Sequence, residues 1–271
     1  MPTTLGLYYT IQRGGAKDDP VVVLLHGAGS SHLCWPPEIR RLRGTTVLTL
    51  DLPGHGRSGG VARHSVEAYA RCITDFLAEL GLYRVILVGH SLGGAIALCT
   101  YLQQPYRIAA LGLVSSGACL PIDPALADLF TRPAGQNDGI QALMSRLFDP
   151  AASPALVERT RETLATGRPG VLQADWLASQ RVDLRNEIFK IVVPALVVTG
   201  ESDALIPPVQ SRFLAARIPH ARLVVVPRAG HMVMLEQAEL VAGELQQLVQ
   251  RTQTAWNSKT ALSTLGGFQA P

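Results

Sequence analysis

No stretch of this 271-residue sequence approaches the ~20 consecutive apolar residues that a membrane-spanning helix needs. The apolar runs are short ones such as Val21–Leu25, so no membrane span is expected. Cysteine is sparse, and Cys34, Cys72, Cys99 and Cys119 form neither a CxxC pair nor a metal-ligand spacing. A zinc site or a disulfide framework is therefore not expected, and the cysteines are read as small buried side chains. Lys17, Lys190 and Lys259 are the only lysines among 24 basic residues. The arginines are scattered, with no basic stripe interleaved with aromatics, so nucleic acid is not an expected partner. The segment Met1-Pro2-Thr3-Thr4-Leu5 lacks a charged stretch followed by an apolar one. No secretory signal is expected from it, and a cytoplasmic location is the default expectation. What the chain does have is core material. Hydrophobic residues make up 47% and charged residues 17%, which excludes wholesale disorder. The length suits one large domain, or one domain with a sizeable insertion.

Short β-branched runs alternate with amphipathic helical stretches. Val21–Leu25, Thr46–Leu50, Arg84–Val88, Ala109–Ser115, Ala195–Thr199 and Arg222–Val226 read as strands, with Leu5–Ile11 as a weaker leading strand. Several are continuously apolar, as strands are when helices cover both faces of a parallel sheet. Ser65–Leu80 reads as a helix capped by Ser65 and closed by Gly81. Leu92–Gln104, Pro208–Arg217 and Leu235–Arg251 read as further helices. The expected class is α/β, a doubly wound and mostly parallel sheet. From about Ala118 to Lys190 the rhythm breaks into helical pieces punctuated by prolines, which is read as an all-helical cap insertion. The expected organisation is a core in two parts, 1–117 and 191–251, interrupted by the cap at 118–190. A tail at 252–271, rich in Thr, Ser, Gly and Gln, is expected to be loosely held.

The most informative segment is Val85-Ile86-Leu87-Val88-Gly89-His90-Ser91-Leu92-Gly93-Gly94. A strand runs into G-x-S-x-G and a helix starts at once. That context lifts a serine hydroxyl above the sheet edge on a sharp turn and sets a helix N-terminus beside it. A serine is a weak nucleophile and needs a base held by an acid. His231, in Gly230-His231 after the last strand, is the candidate base. Asp203, in Gly200-Glu201-Ser202-Asp203, is the candidate acid, with Glu201 as its neighbouring rival. All three candidates fall at carboxyl ends of strands, where open α/β sheets place ligands. The loop His26-Gly27-Ala28-Gly29-Ser30 can turn tightly and aim a backbone N–H into the same place. The Ala28 and Leu92 amides are then the expected oxyanion donors. The loop carries neither GxGxxG nor GxxxxGK[ST], so a phosphate cradle is the weaker reading. His26 and His55 are expected to brace backbone, His90 to point away from the nucleophile, and His64 and His220 to lie at the surface. His32 is placed near the site without a catalytic role.

Together, His26–Gly29, Asp51-Leu52-Pro53-Gly54-His55-Gly56-Arg57-Ser58, Gly89–Gly94, Gly200–Asp203 and Gly230-His231 resemble the α/β-hydrolase superfamily. More narrowly they resemble its small capped esterase and enol-lactonase-like members. The resemblance runs from about Val21 to Val249. It implies the fold just described, a structural role for Asp51–Ser58, and hydrolysis of carboxylic esters through an acyl-enzyme. The serine at 91 differs from the aspartate of dehalogenases and epoxide hydrolases of this fold. Enol-lactone, thioester or C–C hydrolysis on the same triad stays open, as does a non-catalytic receptor. The expected partners are a small-molecule ester and water, with no cofactor and no metal. Trp35, Phe130, Leu143, Leu147 and Trp176 are the expected lining of an apolar roof. Arg132, Arg146, Arg168, Arg181 and Arg185 are expected mainly at the surface. A cap arginine turned inward would instead point to a carboxylate-bearing ester or lactone.

Overall fold

A computed structural model describes residues 2–17, 19–130, 135–168 and 170–265, with backbone alone at 127, 136 and 256–265. Eight strands are present among them: β1 (Thr3–Thr4), β2 (Leu7–Gln12), β3 (Val22–Leu25), β4 (Val47–Leu50), β5 (Val85–His90), β6 (Ile108–Val114), β7 (Ala195–Gly200) and β8 (Ala221–Val226). They form one sheet in the order β1-β2-β4-β3-β5-β6-β7-β8. β1–β2 and β2–β4 pair antiparallel, and every pair from β4–β3 to β7–β8 is parallel. β3, β4, β5 and β7 are buried along their whole length, which is why their sequences are apolar without alternation. The expected leading strand is split. Leu5 (φ 51°) and Gly6 (φ 78°) make a turn between β1 and β2 that Gly6 accommodates without a side chain.

Ten helices accompany the sheet: α1 (Pro37–Arg40), α2 (Val66–Glu79), α3 (Leu92–Gln103), α4 (Pro124–Leu129), α5 (Gln136–Leu147), α6 (Pro154–Ala165), α7 (Val171–Arg181), α8 (Pro208–Arg217), α9 (Val233–Glu236) and α10 (Ala238–Leu265). Ser65 caps α2 as its sequence suggests, its hydroxyl accepting from the Ala68 N–H at 3.2 Å. α3 is apolar all round because it is buried against the sheet and α2. α4 to α7 fill the connection between β6 and β7. α10 runs to Leu265, so the segment after 251 begins as helix where no pattern suggested one. Thr252 is buried there, and Gln253 Nε2 donates to the Gly44 carbonyl. Once a helix is nucleated, each further residue adds a hydrogen bond, so a weak pattern can continue it. Of the prolines and arginines read from sequence, Arg132, Pro133 and Pro169 lie outside the described residues.

The parallel register sets Leu25 beside Gly89, Gly89 beside Leu113, and Gly200 beside Val226. The carboxyl ends of β3, β5, β6, β7 and β8 therefore lie along one edge of the sheet. The loops that leave that edge hold the candidate residues.

Candidate active site

Ser91 stands between β5 and α3 with φ 53° and ψ −119°, a conformation that side chains rarely adopt. Such a residue costs about 1–3 kcal/mol and persists only where its surroundings hold it. Here the Ser91 N–H donates to the Val114 carbonyl at 2.9 Å, and Ser116 Oγ donates to the Ser91 carbonyl at 2.7 Å. The turn also demands its glycines. A Cβ at Gly89 would lie 2.1 Å from the Gly93 carbonyl oxygen, and one at Gly93 would lie 2.5 Å from that of Leu25.

His231 follows β8 and Asp203 follows β7. His231 Nδ1 lies 2.9 Å from Asp203 Oδ2 and 3.1 Å from Oδ1, and both residues are buried. Asp203 Oδ1 also accepts from the Ile206 N–H at 2.8 Å and the Leu205 N–H at 3.1 Å. A carboxylate so placed accepts a hydrogen bond from Nδ1–H, which keeps the proton on Nδ1 and leaves Nε2 bare. Glu201, the rival acid, is exposed. The backbone before His231 is fixed by Glu236, whose two carboxylate oxygens accept from the Gly230 and Asp149 N–H groups, each at 2.8 Å. Ser91 and His231 line one cavity. No direct hydrogen bond joins them, and such contacts often tighten only when substrate arrives.

The loop after β3 turns through Gly29 at φ 63°. Among the described residues neither the Ala28 N–H nor the Leu92 N–H has an acceptor, whereas Ser30 N–H donates back to Gly27 and Gly29 N–H donates to Asp175 Oδ2 at 2.8 Å. Asp175 comes from α7, in the insertion, and is completely buried. The same carboxylate accepts from His55 Nε2 at 2.7 Å and from the Tyr69 hydroxyl at 2.6 Å. Burial alone would push the His55 pKa down, but the Asp175 carboxylate outweighs it and raises the value above 6.5. His26 is the opposite case. Leu52 N–H donates to its Nε2, its Nδ1 faces the Gly27 carbonyl, and burial lowers its pKa to about 4. Both histidines thus brace backbone, as their sequence context suggests. His32 bonds to Asp51, and His64 and His220 are exposed. None of Asp51–Ser58 lines the cavity.

The cavity holds about 360 Å³. Trp35, Leu143, Leu147 and Trp176 line it, as does Ala28. Phe130 does not; its ring stacks behind Trp176 at 5.7 Å between centroids. His90 corrects the expectation that it turns away. It lines the cavity with its ring 4.8 Å from that of His231, and Nε2 lies 3.0 Å from the His231 carbonyl oxygen. Burial, and then the neighbouring His231, drive its pKa well below the ordinary value, so it stays neutral. The sequence reading also missed the face of α6, where Leu156, Arg159, Thr160, Thr163 and Leu164 recur at helical spacing along the wall. That spacing was visible, but nothing in the sequence said which way the face turns. Among the described residues no three His, Cys, Asp or Glu side chains group to hold a metal ion. None of the helices among them is long and apolar enough to cross a membrane.

Residues 22–244 match the model of the alpha/beta hydrolase family. The chain belongs to that family. This hydrolase is 34% identical over 247 residues to the dihydrolipoyllysine-residue acetyltransferase component of an acetoin cleaving system from Pseudomonas putida, a match covering 84% of the chain. It spans 62% of the length of that relative. It is 33% identical over 234 residues to a pimeloyl-[acyl-carrier protein] methyl ester esterase of Neisseria meningitidis serogroup B, covering 82% of the chain and 89% of the relative. A malate-bound thermophilic esterase from Thermogutta terrifontis superposes with a TM-score of 0.82 at 26% identity, covering 91% of this hydrolase and 94% of that chain.

Proposed function

We propose that this hydrolase cleaves carboxylic esters of small to medium, largely apolar acyl or aryl groups through an acyl-enzyme. The observation that carries the reading is the His231–Asp203 pair, at 2.9 Å, opening on the same cavity as a serine held in a strained turn. In the first step Ser91 Oγ attacks the ester carbonyl carbon while its proton passes to His231 Nε2. Asp203 keeps the Nδ1 proton in place and stabilises the imidazolium. The Ala28 and Leu92 amides, lacking any acceptor among the described residues, hold the oxyanion, each contributing about 3–4 kcal/mol where such donors have been removed elsewhere. Collapse breaks the bond to the alcohol oxygen, which takes the proton from His231. Water then repeats the sequence on the acyl-serine, returning the proton to Ser91 and releasing the acid. Relatives and solved neighbours that carry the word esterase support the same reaction class.

A fluorophosphonate probe followed by peptide mass spectrometry tests the proposal. The adduct is expected on Ser91 alone, and Ser91→Ala is expected to lose at least about 10³-fold in kcat on p-nitrophenyl butyrate while remaining folded. Labelling elsewhere, or turnover unchanged in Ser91→Ala, refutes it.

A further inference from the structure

Ester cleavage of an apolar substrate asks for no cation in the cavity, yet two arginines are among the residues that line it. Arg40 ends α1 on the core side, and Arg159 sits on α6 in the insertion. Among the described residues no aspartate or glutamate side chain lines the cavity with them. Among the described residues neither arginine has a carboxylate partner, and Glu158, next to Arg159 in sequence, is engaged by Arg161. Arg40 Nε is buried with no hydrogen-bond partner, an arrangement that costs free energy unless an acceptor arrives. Among the described residues, the cavity lining thus carries two arginines and no acidic side chain.

Resting on the ester-cleaving reading above, we propose that the preferred substrate carries a second, anionic group remote from the scissile ester, bound by Arg40 and Arg159. A half-ester of a dicarboxylic acid is the simplest member of that class. A guanidinium fork meets a carboxylate or a phosphate in the same way, so the shared chemistry is an oxyanion on a short apolar tether. Apolar residues such as Leu143, Leu147 and Leu156 line the same cavity, which suits an apolar tether.

The test compares monomethyl esters of C5–C8 dicarboxylic acids with methyl esters of the matching monocarboxylic acids, followed by pH-stat. An ω-phosphonate methyl ester of the same length separates carboxylate from phosphate preference. The wild-type enzyme is expected to favour the anionic ester by about tenfold in kcat/KM. Arg159→Gln, at an exposed position, is expected to lose most of that preference, kcat/KM falling much further for the anionic ester than for the neutral one, and Arg159→Lys to keep part of it. Arg40→Gln should behave likewise. In parallel, adipate binding to the wild-type protein is measured by titration calorimetry, with weakening expected in Arg159→Gln. Adipate binding that depends on Arg159 without any ester turnover would uphold the subsite and sink the esterase reading. Neutral esters cleaved as well as anionic ones, with no adipate binding, would overturn the subsite and leave the esterase reading standing. Equal losses on both ester classes in Arg159→Gln would also overturn it.

Discussion

Asp175 is the residue whose removal most directly tests how this site is held. Its buried carboxylate accepts three hydrogen bonds, from Gly29 N–H at 2.8 Å, His55 Nε2 at 2.7 Å and the Tyr69 hydroxyl at 2.6 Å. Asp175→Ala leaves three buried donors without an acceptor, one of them on a cationic imidazole. Breaking a buried charged pair typically costs about 3–5 kcal/mol. Against an expected total of about 5–15 kcal/mol, the variant should still fold. Asp175→Asn keeps the shape and one acceptor oxygen. The Tyr69 hydroxyl can reverse to accept from the new amide, so the loss should be about 1–2 kcal/mol. Urea unfolding followed by circular dichroism reads both values. Activity should separate the two variants further. Gly29 is the neighbour of Ala28, and its bond to Asp175 fixes the turn that aims the Ala28 amide. Loss of a whole oxyanion donor costs 10²–10³ in kcat in a well-studied case, so a misaimed one should cost about tenfold or more. Asp175→Ala is therefore expected to lower kcat on p-nitrophenyl butyrate by about tenfold or more with KM little changed, and Asp175→Asn to stay within a few-fold. A folded Asp175→Ala enzyme with wild-type kcat would refute the link between the insertion and the oxyanion loop. The pH dependence offers a second reading. The His55 pKa is raised in the folded state, so the stability it contributes is complete below pH 6.5 and lost as pH rises through the folded value. That downward slope should vanish in both variants.

Two further outcomes follow from the same structure. His26 is buried neutral, with a pKa lowered to about 4, so its contribution is present above pH 6.5 and lost as pH falls toward 4. The difference corresponds to about 3 kcal/mol; urea midpoints measured between pH 7 and 4 should fall accordingly, and His26→Gln should flatten that fall. Glu236→Gln turns one of two acceptor oxygens into a donor facing a backbone N–H, at Gly230 or Asp149. It should cost about 1–3 kcal/mol and reduce kcat through the loop that carries His231, whereas unchanged unfolding and unchanged kcat would show that Glu236 does not hold that loop.

The parallel core was legible because its strands are buried on both faces and so carry unbroken apolar runs, as in Val22–Leu25 and Val85–Val88. The Ser91 turn was legible for a different reason: only glycine fits at 89 and 93, so close backbone approach leaves its mark in the sequence. Residues that act through distant contacts leave no such mark. Asp175 reads as one more acid on an amphipathic helix, yet its partners lie 106, 120 and 146 residues away in the chain. His90 was misread because alternation along a strand ends where the strand does, and the turn after it carries the ring back over His231. Phe130 was misjudged, and Arg159 drew no expectation, because helical spacing identifies a face without saying what it meets. The helix beyond Arg251 was missed because propagation from a packed helix needs little local propensity.

The insertion does more than roof the cavity, because its bonds are distributed unevenly over the candidate groups. The Ser91 turn is held by the core alone, through Val114 and Ser116. The oxyanion loop depends on Asp175 from α7. The acid and base loops depend on the chain that leaves α5: Leu147 O accepts from Met232 N–H at 3.0 Å, Asp149 Oδ2 accepts from Ser202 Oγ at 2.6 Å, and Asp149 N–H reaches Glu236. A Cβ at Gly230 would lie 2.6 Å from the Phe148 backbone, so the base loop is also pressed against that connection. Loosening the insertion would therefore leave the Ser91 turn in place but displace the loops that carry the candidate acid, base and oxyanion donors. The proposed anionic subsite fits the same logic, since Arg40 belongs to the core and Arg159 to the insertion, and a ligand held by both would draw the two parts together.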